Sequence, residues 1–380
     1  MGRKITLGLL ALIIVAVAAF FALAPGIVER GMNQVVGGPW PVSERAKALH
    51  ATLFVADLHG DTLLWQRDFD AAATRGQVDL PRLRAGNVGL QILSSVTKTP
   101  KDQNYESNSG DTDNITLLAV VQLQPVRTWG SLIERSLWHA DKLRRAAERA
   151  PQIRIVRTQR DLAALRHGVT GTLLSVEGAH NLEGSLANLD RLYDAGFRMV
   201  GLTHFFDNEL AGSMHGVAKT GLTPFGLRAV RAMEARGIVV DVAHCSHACF
   251  ADVMRFATRP VVVSHGGVKA TCNTNRNLTD DELRALAKNG GVIGIGYWDA
   301  AVCAPTPAAT ARAIVHAARV AGVDHVGLGS DFDGSVTTGF DTAQLVVMTQ
   351  ALIDAGLSDG DIAKVMGGNV RRLLGAGLPA

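Results

Sequence analysis

Beyond residue 45, short apolar runs alternate with longer stretches in which apolar residues recur every third or fourth position. The runs fall at 53–58, 88–96, 171–177, 198–203, 237–243, 260–264, 291–297 and 325–330. Rich in Val, Ile and Leu and bounded by Gly or polar residues, they predict buried β-strands. The segments between them predict amphipathic helices, among them Leu186–Ala195, Pro224–Arg236, Ser246–Ala257, Asp280–Lys288 and Thr306–Ala321. Eight strand-helix units in one chain predict a parallel sheet covered by helices, and a closed (β/α)8 barrel of the TIM type is the economical arrangement. An open doubly wound sheet is the alternative, but no G-x-G-x-x-G follows the first strand.

The alternation is interrupted over residues 98–170 by a polar stretch followed by helical patterns around 113–124 and 127–149. A segment inserted after a barrel strand sits at the catalytic face, so this one is expected to wall or cover a site.

The first residues follow another pattern. Residues 1–4 carry Arg3 and Lys4, and residues 5–24 contain no charge. A run of that length forms a helix of about 30 Å, enough to cross a bilayer's hydrocarbon core. The positive flank predicts a cytoplasmic n-region, with the rest of the chain on the periplasmic or outer side. The rival is a secretory signal cut after Ala22-Leu23-Ala24, which would release the protein. An uncleaved anchor is preferred, because the apolar run is long for a signal and Pro25 would sit just after the cut. Residues 25–45 then read as a linker leading into a first helix over Val42–Leu49, and 46–380 as the barrel domain.

Composition narrows the picture. With 380 residues, 47% of them hydrophobic, the chain can fill one large α/β core. A formal charge of +3 without a basic stripe argues against a nucleic-acid partner. The four cysteines, Cys245, Cys249, Cys272 and Cys303, form no paired C-x-x-C elements, which argues against a structural zinc knuckle.

The polar residues carry the chemistry, and they come after the apolar runs rather than before them. The first run ends in "DLHGD" with Asp57, His59 and Asp61, and the third in "SVEG" with Glu177. The fourth ends with His204, the fifth with His244, the sixth with His265, and the eighth in "SDFDG" with Asp331 and Asp333. Any one of these is ordinary turn chemistry. A barrel, however, gathers all the carboxyl ends of its strands onto one face, and several imidazoles with several carboxylates form a donor set suited to zinc. There are too many donors for one tetrahedral ion. Two zinc ions per chain are therefore expected, with His59 and Asp61 on one, His244 and His265 on the other, and Glu177 between them. A water shared by two such ions becomes a hydroxide nucleophile near neutral pH, and Asp331 is left free to handle its proton. His180, His247 and His325 read as helix caps or solvent-facing residues, and His215 as a loop residue near the site.

In this order, "DLHGDT", "SVEG", "GLTHFFDNELAGS", "VDVAHCS", "VVVSHGG", "NRNLTDDEL" and "GLGSDFDG" resemble the membrane dipeptidase (renal dipeptidase) family of zinc metallopeptidases. The likeness runs from about residue 45 to about 375 and closes on "GGNVRRLL". It implies a (β/α)8 barrel with a binuclear zinc site, and dipeptides, L,D forms included, as substrates. It assigns His59, Asp61, Glu177, His244 and His265 to the metals and His204 to the substrate and the tetrahedral intermediate. Arg276 is assigned to the dipeptide's free carboxylate and Asp331 to acid/base work. It also aligns Cys272 and Cys303 with a disulfide pair. Mammalian members hang from a carboxyl-terminal lipid, so an N-terminal anchor is a departure, and residues 98–170 do not align readily. A homodimer is left open. The rival activities are hydrolysis of N-acyl amino acids or lactams on the same barrel, or a catalytically idle surface receptor.

Overall fold

A computed structural model describes residues 2–380 and places the predicted runs in a closed eight-stranded parallel barrel. The staves are β1 (Val55–Asp57), β2 (Val88–Val96), β3 (Thr170–Glu177), β4 (Phe197–Gly201), β5 (Val239–Asp241), β6 (Val262–Gly266), β7 (Val292–Ile295) and β8 (Val326–Leu328). Each pairs in parallel with the next, except that β1 also pairs with β8, closing the ring at Asp57 opposite Leu328. The longest ladder joins β2 to β3 and carries Glu177 to the top of the barrel opposite Val96. A further short strand, Ile153–Ile155, pairs with the start of β3 below β4.

Side-chain alternation sorts the strands into two apolar layers. Leu90, Ile92, Leu173, Met199, Val239, Val262 and Val292 pack together with Val370, Leu373 and Leu374 of the helix Asn369–Gly377. This layer fills the lower barrel and plugs its amino-terminal end. Leu93, Leu174, Val176, Val200, Val240, Val263 and Ile293 point the other way, into the larger cluster shared with the surrounding helices. Along β3, Leu173 faces inward and Leu174 outward, so period two brings Ser175 and Glu177 to the inner face above Leu173. The interior is therefore apolar below and polar above.

Helices Leu186–Ala195 and Pro224–Arg236 lie on their predicted residues. The second starts where the Thr223 hydroxyl accepts the Gly226 N–H and stops at Gly237 in a left-handed conformation. The first helix of the domain spans Glu44–Thr52, two residues later than expected at its start, because Ser43 caps it by accepting the Ala46 N–H. Inside the insertion, helices Asn114–Val121 and Leu132–Arg149 bracket a short turn of helix.

The N-terminal segment differs from the expectation. A single helix runs from Gly2 to Met32 and passes straight through Pro25, so the first part of the supposed linker is helical. Met1, within the expected n-region, lies outside the described residues. The side chains of residues 4–20 are exposed, whereas Pro25, Gly26 and Glu29 are buried against the barrel. Tertiary packing thus holds the turns around the proline. By length and composition this helix could be a membrane anchor or a signal sequence. After it, Gln34–Val35 pairs in parallel with Thr337–Thr338 beyond β8.

Candidate active site

The strand ends bring the predicted residues together. His59, Asp61, Glu177, His204, His244, His265 and Asp331 all sit at the carboxyl end of the barrel, and all are buried. Glu177 is the centre of the group. Its Oε1 lies 2.9 Å from His244 Nε2, 3.2 Å from His265 Nε2 and 3.5 Å from His204 Nε2. Its Oε2 lies 3.5 Å from His59 Nε2. That same nitrogen is 3.5 Å from Asp61 Oδ1 and 3.9 Å from Asp331 Oδ1. Three overlapping sets, His59–Glu177–His265, Glu177–His204–His244 and His59–Asp61–Asp331, each converge closely enough to hold an ion.

Backbone and deeper side chains hold this arrangement. Asp57, which alternation groups with His59 and Asp61, does not join the cluster. Its Oδ1 accepts the His59 N–H at 3.0 Å and the Ser330 N–H at 3.2 Å, tying the end of β1 to the end of β8. Asp241 likewise accepts the Ala243 N–H at 2.9 Å and the Ser264 N–H at 3.0 Å. The Ser264 hydroxyl lies 2.9 Å from His265 Nδ1 and 3.4 Å from His59 Nδ1, leaving both Nε2 atoms turned to the cluster. His244 and Asp331 adopt φ of 62° and 59°, a left-handed conformation costly for residues with side chains. Gly334 leaves room for the Asp331 carboxylate, since a Cβ there would collide with its Oδ1.

The electrostatics favour a cation. Burial, and then the Glu177 charge, push Asp61 up to about 6, and burial with both neighbouring carboxylates pushes Asp331 well above its usual range. Burial works the same way on Glu177, but His204 and His59 together with hydrogen bonds from His244 and His265 outweigh it and hold that carboxyl well below normal. Burial and the Arg276 charge keep His244 neutral; burial and His59 do the same for His265. Burial opposes it, but the Glu177 and Asp61 charges push His59 well above its ordinary value, and three carboxylates crowded around these imidazoles are the donor chemistry of a divalent metal site. Buried His59 Nε2 and Asp61 Oδ1 also lack any hydrogen-bond partner, and the nitrogens of His244 and His265 face each other at 3.0 Å. The residues present therefore fit a metal.

A cavity of about 650 Å³ opens above the cluster. Arg276 lies fully buried on its wall, with Nη2 donating to the His265 carbonyl while Nε and Nη1 have no partner. The Arg276-bearing loop also contains Cys272, whose sulfur is joined to that of Cys303 beyond β7. The sulfurs of Cys245 and Cys249 also lie side by side.

Several contributors have no clear mark in the sequence. Tyr105, from the insertion, lines the cavity; its carbonyl accepts Asn275 Nδ2 at 2.9 Å and its hydroxyl accepts Trp298 Nε1 at 3.0 Å. Only the position of the insertion after a strand could have pointed to it. His180 is buried rather than solvent-facing, because Thr97 Oγ1 lies 3.0 Å from its Nε2 and Phe206 packs on its ring. His215 is buried behind the site, with its ring stacked on Phe205 and 5.3 Å from that of His244.

A closed parallel barrel with a cluster of histidines and carboxylates at its carboxyl end has the architecture and donor set of a metal-dependent enzyme. Residues 43–377 match the membrane dipeptidase family (peptidase family M19), and the chain belongs to that family. It is 31% identical to the dipeptidase aclJ of Aspergillus oryzae over 352 residues, 84% of this chain and 77% of the relative. Among solved structures, the probable dipeptidase PvdM from Pseudomonas aeruginosa superposes with a TM-score of 0.74 at 22% identity, over 88% of this chain and 97% of its own. A metallo peptidase from Rhodobacter sphaeroides, liganded with a phosphinate mimic of the dipeptide L-Ala-D-Ala, superposes with a TM-score of 0.70 at 23% identity, over 86% and 99%. The protein is a dipeptide-hydrolysing metallopeptidase on a TIM-type barrel.

Proposed function

We propose that this metallopeptidase uses two zinc ions to cleave free dipeptides, including those with a D-residue at the carboxyl end. We propose further that the N-terminal helix holds it in a membrane with the barrel on the periplasmic or outer face. His59 and Asp61 would hold one ion and His244 and His265 the other, with Glu177 shared. Bound there, the pair would supply Lewis acidity and a water of lowered pKa.

The remaining steps belong to the chain. Arg276 receives the substrate's free carboxylate, for which an unpaired nitrogen together with the second N–H of Nη2 offers the parallel donors that guanidinium-carboxylate pairing needs. That pairing favours substrates that end one residue past the scissile bond. His204, 3.5 Å from Glu177 and on the cavity wall, donates to the carbonyl oxygen as negative charge develops on it. Asp331, which also lines the cavity, carries a proton to the leaving amine nitrogen. The disulfide between Cys272 and Cys303 would stiffen the loop that presents Arg276 in an oxidising compartment.

The observation that carries this reading is the buried, half-unpaired Arg276 beside the donor cluster. A zinc-loaded activity screen across L,L-dipeptides, L,D-dipeptides, their carboxyl-amidated forms and N-acyl amino acids tests it. Free dipeptides should be the best substrates and amidated ones poor. Preference for N-acyl amino acids would replace the dipeptidase reading with the rival hydrolase.

A further inference from the structure

The N-terminal helix does more than reach the barrel. Phe20, Ala24, Val28 and Met32 recur every four residues along one face and line the same cavity as Glu177 and Arg276. Across from them stand Ile115, Leu118 and Val121 of the helix Asn114–Val121. The cavity is thus polar at its floor and apolar along its outer walls, and one of those walls is the membrane-type helix itself.

This wall is fastened in place. Glu29 is buried, and its carboxylate accepts Arg67 Nε at 2.5 Å and Arg75 Nε at 2.6 Å. Arg67 continues to Asp333, two residues beyond Asp331. One turn further on, Asn33 Oδ1 accepts the Ser335 N–H at 2.8 Å. The end of the helix and the loop after β8 therefore form one assembly. A helix that served only as a tether would need no buried glutamate and no face turned to the catalytic cavity.

We propose that residues 20–32 of the N-terminal helix are a specificity wall of the substrate pocket, selecting dipeptides that carry a large apolar side chain. The proposal rests on the dipeptidase reading above. A bulky apolar side chain would cover the stripe Phe20–Ala24–Val28–Met32 and the facing Ile115 and Leu118, releasing water from both. Two alanines would leave those walls wet.

The test uses the full chain in detergent micelles with zinc added, and compares kcat/KM for L-Leu-L-Leu and L-Ala-L-Ala. The wild type should favour L-Leu-L-Leu by about tenfold or more, the discrimination that apolar pockets reach. The Val28→Ala/Met32→Ala double variant should lose most of that preference through a raised KM for L-Leu-L-Leu, with a clearly smaller effect on L-Ala-L-Ala. Ile27→Ala, on an exposed face that does not line the cavity, should keep the wild-type ratio. A wild type without preference, or a double variant with an unchanged ratio, overturns the proposal. If the double variant loses both activities, Val28→Trp decides: its added bulk must impair L-Leu-L-Leu more than L-Ala-L-Ala, and equal impairment overturns the proposal. A wild type that holds zinc yet cleaves neither peptide overturns this inference, and the dipeptidase reading with it if L,D-dipeptides are left intact as well, whereas activity without preference overturns this inference alone.

Discussion

Arg276→Met separates function from stability at the site. The guanidinium is fully buried, its Nε and Nη1 are unpaired, and burial lowers its pKa against the partial help of Asp331. A buried charge without a full set of partners carries a desolvation cost that an apolar side chain of similar size avoids. Against this, the His265 carbonyl loses the Nη2 donor, at about 1 kcal/mol. The variant should therefore be about as stable as the wild type, within about 1 kcal/mol. Catalysis should move the other way. Two charge-assisted hydrogen bonds to a substrate carboxylate are worth about 1.5–3 kcal/mol each, so kcat/KM should fall by about a thousandfold. Because the carboxylate is held in ground and transition states alike, most of the loss should enter KM. The assay pairs urea denaturation with Michaelis kinetics on a free dipeptide and its carboxyl amide. The amide should be poor with the wild type and little affected by the substitution. A variant that is less stable with an unchanged KM, or that loses both substrates equally, would refute the assignment.

Asp331→Asn should retain bound metal and lose turnover, whereas Glu177→Ala should lose both, since Glu177 lies within reach of four imidazoles; metal analysis beside activity separates the two, and an active Asp331→Asn would end the proton-carrier role. The pH dependence of stability has an identifiable contributor far from the cluster. Burial, and then the charges of Lys142 and Arg135, push His139 down to about 3 from an ordinary value of 6.5. Between those values the unfolded chain binds the extra proton, so stability rises with pH across the window and is lost as pH falls towards 3. In urea titrations between pH 4 and 6, His139→Gln should flatten the wild-type slope by about 1.4 kcal/mol per pH unit, and an unchanged slope would reassign the effect.

The barrel was legible because its signals are local. Strands such as Val292–Ile295 are continuous apolar runs, and a helix such as Pro224–Arg236 carries its cap, its proline and its terminal glycine in the sequence. Chain order also places His59, Glu177, His244 and His265 after strands, and a closed barrel turns that order into proximity. What was not legible depends on contacts between distant segments. The helix passes Pro25 because Glu29 is clamped by Arg67 and Arg75, a pairing that no spacing announces. Tyr105 sits in a polar stretch without periodicity and reaches the site through contacts with His215, Asn275 and Trp298 from distant loops. His180 reads like any residue after a strand, and the proximity of Thr97 and Phe206 is what buries it.

The central claim is that the cluster around Glu177 binds two zinc ions and hydrolyses dipeptides with them. The most direct measurement is metal content and dipeptidase activity on one purified sample, followed through chelation and zinc titration. The account predicts two zinc ions per chain, activity lost on chelation, and recovery that saturates as the second ion binds. A folded chain that takes up no zinc, or takes it up and leaves every dipeptide intact, would contradict it.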